Sequence, residues 1–567
     1  MTTLADIDTL RADTTELREQ YHGLRRTAPL IRLWTNKPDS SPGLSFQGRV
    51  NDSIAGRFPW KKNQSSAGML RLRLDHHLAR WLISIPEDPA AKKNVVITVD
   101  HMGGAKRWSG LLKTWSVRTV NRVHYLEVTW VDDLQFLQFM LGPPNPLLPI
   151  PIFQWPRVLP ILGPAKWAVS MMILINLIRL NGNLWNLPAD PFAYESYDDL
   201  FDWSDWQVLI NAKPFDLDDS SLWTILATRM NRIDSVISDA LEDAQLTITY
   251  RRILTVDGET SPIEGVPVVN NGALVLEVVD NSGYFGAAGT GTGGGIGAGL
   301  ARTVAQFLDG FVEDIRVSVG DDETIWPDQY YQPHWLGTVP SHPWVVVRDS
   351  RYSQMETSEL SWGPATAVSV IVGGDNPLAD SLARLAIETA AALVGYFLLA
   401  GFSGLGSIVA DMVMPFLVGC ILAWLQWTNN TRAHNLGWVH LYEIFQQGAD
   451  NNAWSLTAVG ALRAGFEATK SETGHQFEMR FGGEYLPGLD FDIGHRIAST
   501  ASHVTDKLFV DQVESMELAW DYQSGRTWNW SVTVGTNKAG MSQAERSARL
   551  INKALTTLQN IGVHLVS

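Results

Sequence analysis

The chain has 567 residues, 45% hydrophobic and 18% charged, which suffices for about three to five domains with real cores and argues against wholesale disorder. Its formal net charge of −16 argues against a protein that coats nucleic acid, because phosphate binding needs clustered Lys and Arg. The single cysteine, Cys420, leaves no disulfide framework and no cysteine metal site.

The hydrophobic period of the chain changes near Pro29. Before it, apolar residues at helical spacing predict an N-terminal helix within residues 1–27. This polar, acidic sequence lacks the order of a signal peptide, so we expect synthesis in a cytoplasm without export by that route. After it, seven short alternating runs, from LIRLW to RVHYLEVTW, are separated by turn residues. They predict a sandwich or barrel over residues 28–137.

The middle of the chain combines stiff, apolar and glycine-rich segments. Residues 141–164 contain eight prolines and predict an extended crossing segment within a region at 138–200. The apolar run WAVSMMILINLI that follows is too short to span a bilayer. A predicted helix and two strand candidates then define an α+β region over 201–350, whose glycine tract at 286–299 we expect to be a flexible loop.

The most apolar stretch is AALVGYFLLAGFSGLGSIVADMVMPFLVGCILAWLQW, residues 391–427. Between Thr389 and Thr431 its only charge is Asp411, and each half has the length of about 20 residues that a membrane span needs. Its five glycines, Pro415 and Asp411 disfavour a lipid-exposed helix. We expect a helical hairpin over 389–431 within a helical region at 351–480. Its candidate trimer-core or membrane-contacting residues are Leu393, Phe397, Leu398, Phe402, Asp411, Phe416, Leu417, Ile421 and Trp424.

Residues 481–567 return to alternating runs such as TWNWSVTVG and then predict a closing helix, in which Ser542 and Glu545 form a capping box. The 23 tryptophans of the chain recur singly in such runs. Half-buried sheet faces explain them better than sugar stacking, because a large amphipathic ring suits any partly wet surface. Alternation near both termini and helical periodicity between them predict an α+β, multidomain protein.

The glycine tract includes a dinucleotide-like spacing at Gly289, Gly291 and Gly294. The glycines continue beyond this spacing and no alternating series of strands and helices surrounds it, so a flexible loop is the better interpretation. The run Asp75-His76-His77 is similar to a metallophosphoesterase motif but has no second cluster of ligands.

A glycosidase would need two carboxylates on opposite sides of a sugar bond. The crowded acidic candidates, which more often form a solvated face, are Asp198, Asp199, Asp202 and Asp205. The pairs His334 and His342, and His434 and His440, lack a third ligand. We therefore predict no catalytic residue, no metal site and no cofactor, and a protein that is not an enzyme.

Long motifs throughout the chain resemble minor tail proteins of siphophages that infect mycobacteria and related actinobacteria. Near the N-terminus they are PLIRLW, SAGMLRLRLDHHLARWL and VVITVDHMGGAKRWSGLLKTWSV. In the middle they are GPAKWAVSMMILINLIRLNGNLWNLPADPF and LEDAQLTITYRR, and later LGWVHLYEIFQQGADNNAWSLTAVGALRAGFEATK and FVDQVESMELAWD. The resemblance covers nearly the whole chain, and none of these motifs is catalytic.

This resemblance implies a trimeric hub at the distal end of the tail tube, located at the tail tip of the virion. Residues 28–137 and 481–536 would be two tail-tube-like β-barrels. The implied partners are two further copies, the distal tail protein, the tape measure protein and other minor tail proteins, while genomic DNA passes through without specific binding. The apolar hairpin would be either a plug at the trimer axis or a contact with the host membrane. A cell-wall-binding module or glycan hydrolase is the alternative.

Overall fold

The structure, a computed structural model, describes residues 4–120, 123–146, 159–181, 205–213, 218–266, 268–282, 345–351, 353–373, 424–445, 472–480 and 485–535, with short pieces between them. Contacts divide the chain into two compact units. The first unit comprises Met1–Leu300, Ser318–Glu359 and His475–Thr536, and the second comprises Ala301–Val317, Leu360–Gly474 and Asn537–Ser567.

The N-terminal part of the first unit is a helix followed by seven antiparallel strands and a short helix. The helices are α1 (Leu4–Arg26) and α2 (His77–Ser84). The strands are β1 (Leu30–Asn36), β2 (Leu44–Val50), β3 (Ser53–Lys61), β4 (Ala67–Arg73), β5 (Val95–His101), β6 (Lys106–Val120) and β7 (Val123–Asp132). They lie where alternation predicts strands, because an alternating sequence can bury one face of a strand. The buried face carries large residues such as Phe58, Trp108 and Trp130.

A second layer of the first unit has its own apolar core. Its strands are β8 (Leu141–Gly142), β9 (Leu159–Pro164), β10 (Val208–Asn211), β11 (Trp223–Thr228), β12 (Asn231–Arg232), β13 (Leu246–Ile253) and β14 (Ala273–Asp280). Its helices are α3 (Ala165–Asn181) and α4 (Ile233–Asp243). They pack on the three-stranded sheet β10-β14-β13. Within the described residues, no helix combines the length and the apolar character that crossing a membrane requires.

The predicted helical, apolar middle is wrong for the part of 351–480 that the structure describes, where strands predominate. Three two-residue strands precede this region: β15 (Pro333–His334), β16 (Gly337–Thr338) and β17 (Val346–Val347). The region itself begins with the longer strand β18 (Met355–Gly363). The second unit then contains β19 (Ala367–Gly373), β20 (Trp424–Thr428), α5 (Asn430–Leu436) and β21 (Leu441–Phe445). β19 is the central strand, antiparallel to β20 and parallel to β21. Strand pairing, which no local pattern reports, overrides the apolar periodicity here.

The chain returns to the first sheet through β22 (Glu472–Arg480), β23 (Arg496–Ala501), β24 (Thr505–Asp521) and β25 (Arg526–Val534). The sheet has thirteen strands in the order β18-β22-β25-β24-β3-β4-β7-β6-β5-β1-β2, and β23 pairs with both β24 and β17. The prediction of an α+β protein with two β-barrels is therefore wrong. The described structure consists mostly of strands, these strands form no closed barrel, and both ends of the chain contribute to one sheet.

The two ends join where β24 pairs with β3, from Ser515 opposite Lys61 to Asp521 opposite Ala55. Large rings cross this seam. Trp520 stacks on Phe58 with ring centroids 5.6 Å apart. A Cβ atom on residue 56 would lie 2.1 Å from the Trp520 ring, which is too close for any side chain. Glycine at this position therefore allows β24 to approach β3. Alternation predicts each of these strands but gives no information on which strand pairs with which.

Candidate functional site

Most residues that the sequence singles out lie outside the described part of the chain. These are Gly289, Gly291 and Gly294 of the glycine tract and Leu393, Phe397, Leu398, Phe402, Asp411, Phe416, Leu417 and Ile421 of the apolar hairpin. Trp424 is described, and it begins β20 instead of continuing a helix. The helical prediction is thus wrong at the end of the hairpin, over Trp424–Thr428.

The two strands that flank the apolar segment in the sequence are neighbours in the structure. β19 ends at Gly373 and β20 begins at Trp424, and these two residues are paired across the antiparallel ladder. The last described residue before residues 374–423 and the first one after them therefore lie side by side at one end of this small sheet. The segment is a long connection between two adjacent strands, which the sequence alone did not indicate.

The enzyme-like motifs in described residues have structural roles. Asp75 forms an exposed ion pair with Arg73, and the His76 ring accepts a hydrogen bond from the Leu78 backbone N–H at the start of α2. Asp205 accepts a hydrogen bond from Asn270, while the other three aspartates of its cluster are not described. Within the described ranges, no three His, Cys, Asp or Glu side chains converge on a position that a metal ion could take.

A serine–histidine pair, absent from the sequence predictions, lies in the first unit. The His475 Nδ1 atom is 2.6 Å from the Ser499 Oγ atom. This is the geometry of a nucleophile and its base. Both residues are only 1% exposed, and burial lowers the pKa of His475. The nearby carboxylate, Asp349, accepts hydrogen bonds from Thr500, Ser502 and His503 instead. A substrate has no access to this pair, so its role is structural.

The most highly organised polar group in the described structure is a cluster of six charged side chains, which we call the ionic junction. Its members are Arg32, Asp100, Arg107, Arg251, Asp257 and Glu259. Asp100 accepts hydrogen bonds from Arg32 at 2.8 Å and from Arg107 at 2.5 Å. Arg107 also donates to Glu259 and to the Arg252 carbonyl, each at 2.7 Å. The junction thus ties the main sheet to β13 and the turn after it.

The electrostatics of the junction favour the ionised form of Glu259. Burial by itself raises the pKa of Glu259, but hydrogen bonds from the Leu254 N–H and from Arg107 and Arg251 outweigh this and hold that pKa below its ordinary value. Asp100 is 5% exposed and is shared by two guanidinium groups. Buried charges that are paired in this way orient the strands and the turn that carry them. Each charged group is already bonded to its partner, so it is not available to react with a substrate.

A second buried pair lies beside the junction. Arg252 donates two hydrogen bonds to Asp133, at 2.6 and 2.7 Å, and a third to the Gly272 carbonyl at 2.8 Å. The neighbouring Asp132 accepts from the Ser66 N–H and hydroxyl, yet burial raises the pKa of Asp132 to about 6. Consecutive residues of a strand point to opposite faces, so Arg251 and Arg252 anchor β13 on both sides. Sequence reasoning missed these residues and those of the ionic junction because the partners are up to 225 residues apart.

Comparison with known proteins agrees with the resemblance seen in the sequence. The sequence model of the family described as Siphovirus ReqiPepy6 Gp37-like protein matches residues 30–536. Minor tail protein Gp28 of Mycobacterium phage L5 is 28% identical over 528 residues, covering 83% of this chain and 86% of that protein. Gp28 of Mycobacterium phage D29 is 27% identical over the same shares of the two chains. The predicted relation to minor tail proteins of siphophages is confirmed.

One solved structure that aligns with this chain is the tail protein from Neisseria meningitidis MC58. It aligns with 90% of this chain and 97% of its own, with a TM-score of 0.37 and 7% sequence identity. A TM-score this low establishes neither a shared fold nor a function.

Proposed function

We propose a function for this chain from the premise that it belongs to the family of Siphovirus ReqiPepy6 Gp37-like proteins. It is a structural minor tail protein of a siphophage virion. The observation that carries this proposal is the similarity to two minor tail proteins along most of both chains, instead of within one exchangeable domain. The absence of a convincing catalytic motif in the sequence supports a structural role.

We propose further that three copies form a hub at the distal end of the tail tube, closing the tube and connecting it to the tip apparatus. The distal tail protein, the tape measure protein and other minor tail proteins are its neighbours. Two features support a structural role in the tail. The main sheet is built from both ends of the chain, and the ionic junction fixes the second layer to this sheet. The net charge of −16 suits a channel through which DNA passes without binding.

The hub is tested by the mass of the purified protein in solution and by the position of the protein in the virion. Light scattering on the purified chain should give about three times the monomer mass of 62.9 kDa. Antibody labelling of virions should mark the tail tip in electron micrographs. A monomer in solution would contradict the trimer, and label along the tail shaft would contradict the position.

The apolar segment at 389–431 has two proposed roles, a plug at the trimer axis or a contact with the host membrane during DNA delivery. Its glycines, which let neighbouring backbones approach closely, fit the first role, and its length with Asp411 as the only charge fits the second. Replacing Leu398 and Leu417 by Asp should abolish trimer formation in the first case and binding to liposomes in the second. A double variant that remains trimeric, binds liposomes normally and forms infectious particles would contradict both roles.

We propose no hydrolase activity for this chain. Incubation with purified mycobacterial cell wall should release neither sugar nor peptide. Release that survives repurification of the protein would instead support the alternative function, a glycan hydrolase of the tail tip.

A further inference from the structure

A short apolar segment of the second unit is exposed to solvent. Its members are Trp438, Val439, Leu441 and Tyr442, which are 95%, 81%, 62% and 79% exposed, and we call them the apolar strip. Trp438 is the most exposed of the large hydrophobic residues that the structure describes. Four exposed apolar residues within five positions are unusual in a soluble protein unless a partner covers them.

The strip is held in a defined conformation. α5 ends at Leu436. The next residue, Gly437, has a φ of +87°, a conformation that L side chains rarely adopt, and its N–H donates to the carbonyls of Ala433 and His434. The chain then turns and enters β21. The His440 ring contacts the Gly437 carbonyl at 2.8 Å and packs edge-on against Tyr442. An ordered turn therefore presents Trp438 and Val439, which lowers the entropy cost of binding.

The surroundings of the strip carry almost no charge. The described segments 360–373 and 424–445 contain two charged residues, Arg432 and Glu443, if histidine is counted as neutral. Arg432 is 2% exposed and donates to the carbonyls of Ala367 and Phe466. A partner that binds here is therefore recognised by apolar contact. Nucleic acid and charged polymers do not fit such a surface.

The backbone of β21 distinguishes between a protein and a lipid. Among the described strands β21 pairs with β19 only, so it forms an edge of the three-stranded sheet. Main-chain groups at a sheet edge can bond to another polypeptide, whereas hydrocarbon offers them no partner. The strip also begins at the other end of the sheet from the pair of Gly373 and Trp424, because Leu441 pairs with Ala367 at the opposite end of β19.

We propose that the apolar strip is a contact between copies of this chain, which rests on the proposed trimeric hub. Each chain has a net charge of −16, so copies repel one another and must associate through a surface that is poor in charge. Two aromatic side chains bury about 300–500 Å² in total, roughly half of the approximately 800 Å² that each partner contributes to a standard interface.

The experiment is sedimentation equilibrium on the full chain, with a matched pair of variants. Val439→Asp places a charge in the strip, and Val504→Asp makes the same change at a 61% exposed valine of the first unit. Val439→Asp and the double variant Trp438→Ala/Tyr442→Ala should each raise the monomer–trimer dissociation constant at least tenfold. Val504→Asp should leave it unchanged. Because these side chains are exposed in the single chain, the far-UV circular dichroism of each variant should match that of the wild type, which separates loss of the contact from loss of the fold.

Salt provides a second readout. The wild-type trimer should be as stable or more stable in 1 M NaCl than in 0.1 M NaCl, because apolar contacts persist while repulsion between acidic copies is screened. A trimer that dissociates in high salt would overturn the proposal.

Three further outcomes have defined meanings. A monomeric wild type would contradict the hub and this contact together. A trimeric wild type whose strip variants are equally trimeric would contradict the contact alone and leave the hub intact. Strip variants that stay trimeric but lose binding to phosphatidylcholine vesicles would assign the strip to a lipid surface and overturn the proposal.

Discussion

Replacing Arg252 by Met tests whether buried charge pairs hold the second layer to the main sheet. Met keeps most of the length of the side chain but removes three hydrogen bonds, two of them to Asp133. The side chains of Arg252 and Asp133 are 6% and 0% exposed, so the variant leaves a carboxylate buried without its cation. Breaking a buried pair in this way costs about 3–5 kcal/mol of unfolding free energy.

The matched control is Arg73→Met. The pair of Arg73 and Asp75 has the same chemistry, but its side chains are 67% and 58% exposed. Exposed pairs contribute about 0–1 kcal/mol, because water and salt screen them. Urea titration followed by tryptophan fluorescence should therefore move the unfolding midpoint far more for Arg252→Met than for Arg73→Met.

A double variant distinguishes an unpaired charge from lost packing. Arg252→Met combined with Asp133→Leu removes both charges, so it should recover part of the stability that the single variant loses. Recovery will be incomplete, because the Ser109 hydroxyl and the Gly272 carbonyl lose their partners. If Arg252→Met costs no more than Arg73→Met, the pair does not hold the layers together and the reasoning fails.

Three other variants test separate features. Burial raises the folded-state pKa of Asp132 from 3.8 to about 6, so the wild type loses unfolding free energy as pH rises through that interval. The variant Asp132→Asn does not titrate, so its unfolding free energy relative to the wild type should increase by up to about 3 kcal/mol between pH 4 and pH 7. A pH-independent difference in urea titrations would contradict this. Gly56→Ala should cost about 2 kcal/mol by collision with Trp520, whereas Gly23→Ala, with open space around it, should not destabilise; equal thermal midpoints would refute the seam. Arg432→Met should speed hydrogen exchange in the second unit only, by roughly 3 kcal/mol of local stability, and uniform change across both units would count against it.

Local patterns in the sequence predict elements well and their partners poorly. The run NVVITVD becomes β5 because a strand with alternating or continuous apolar residues has a face to bury. The pairing of β3 with β24 depends on Gly56 admitting the Trp520 ring, a contact between residues far apart in the chain. The ionic junction is equally nonlocal. The sequence offered one signal for these buried ion pairs, which was a charged residue at the end of an apolar strand. Examples are Asp100, Asp132 and Asp133. A carboxylate that is buried there needs a cation from another part of the chain.

The apolar segment shows why hydrophobicity alone does not define an architectural unit. A helical pattern extends through Trp424, yet Trp424 is a strand residue paired with Gly373. The closure entropy of a loop grows only with the logarithm of its length, so a connection of about 50 residues costs roughly 2 kcal/mol more than one of five. A short ladder that is packed on one face can therefore carry a long insertion. The ends of the insertion are fixed by five residue pairs between β19 and β20, and not by anything within the apolar sequence.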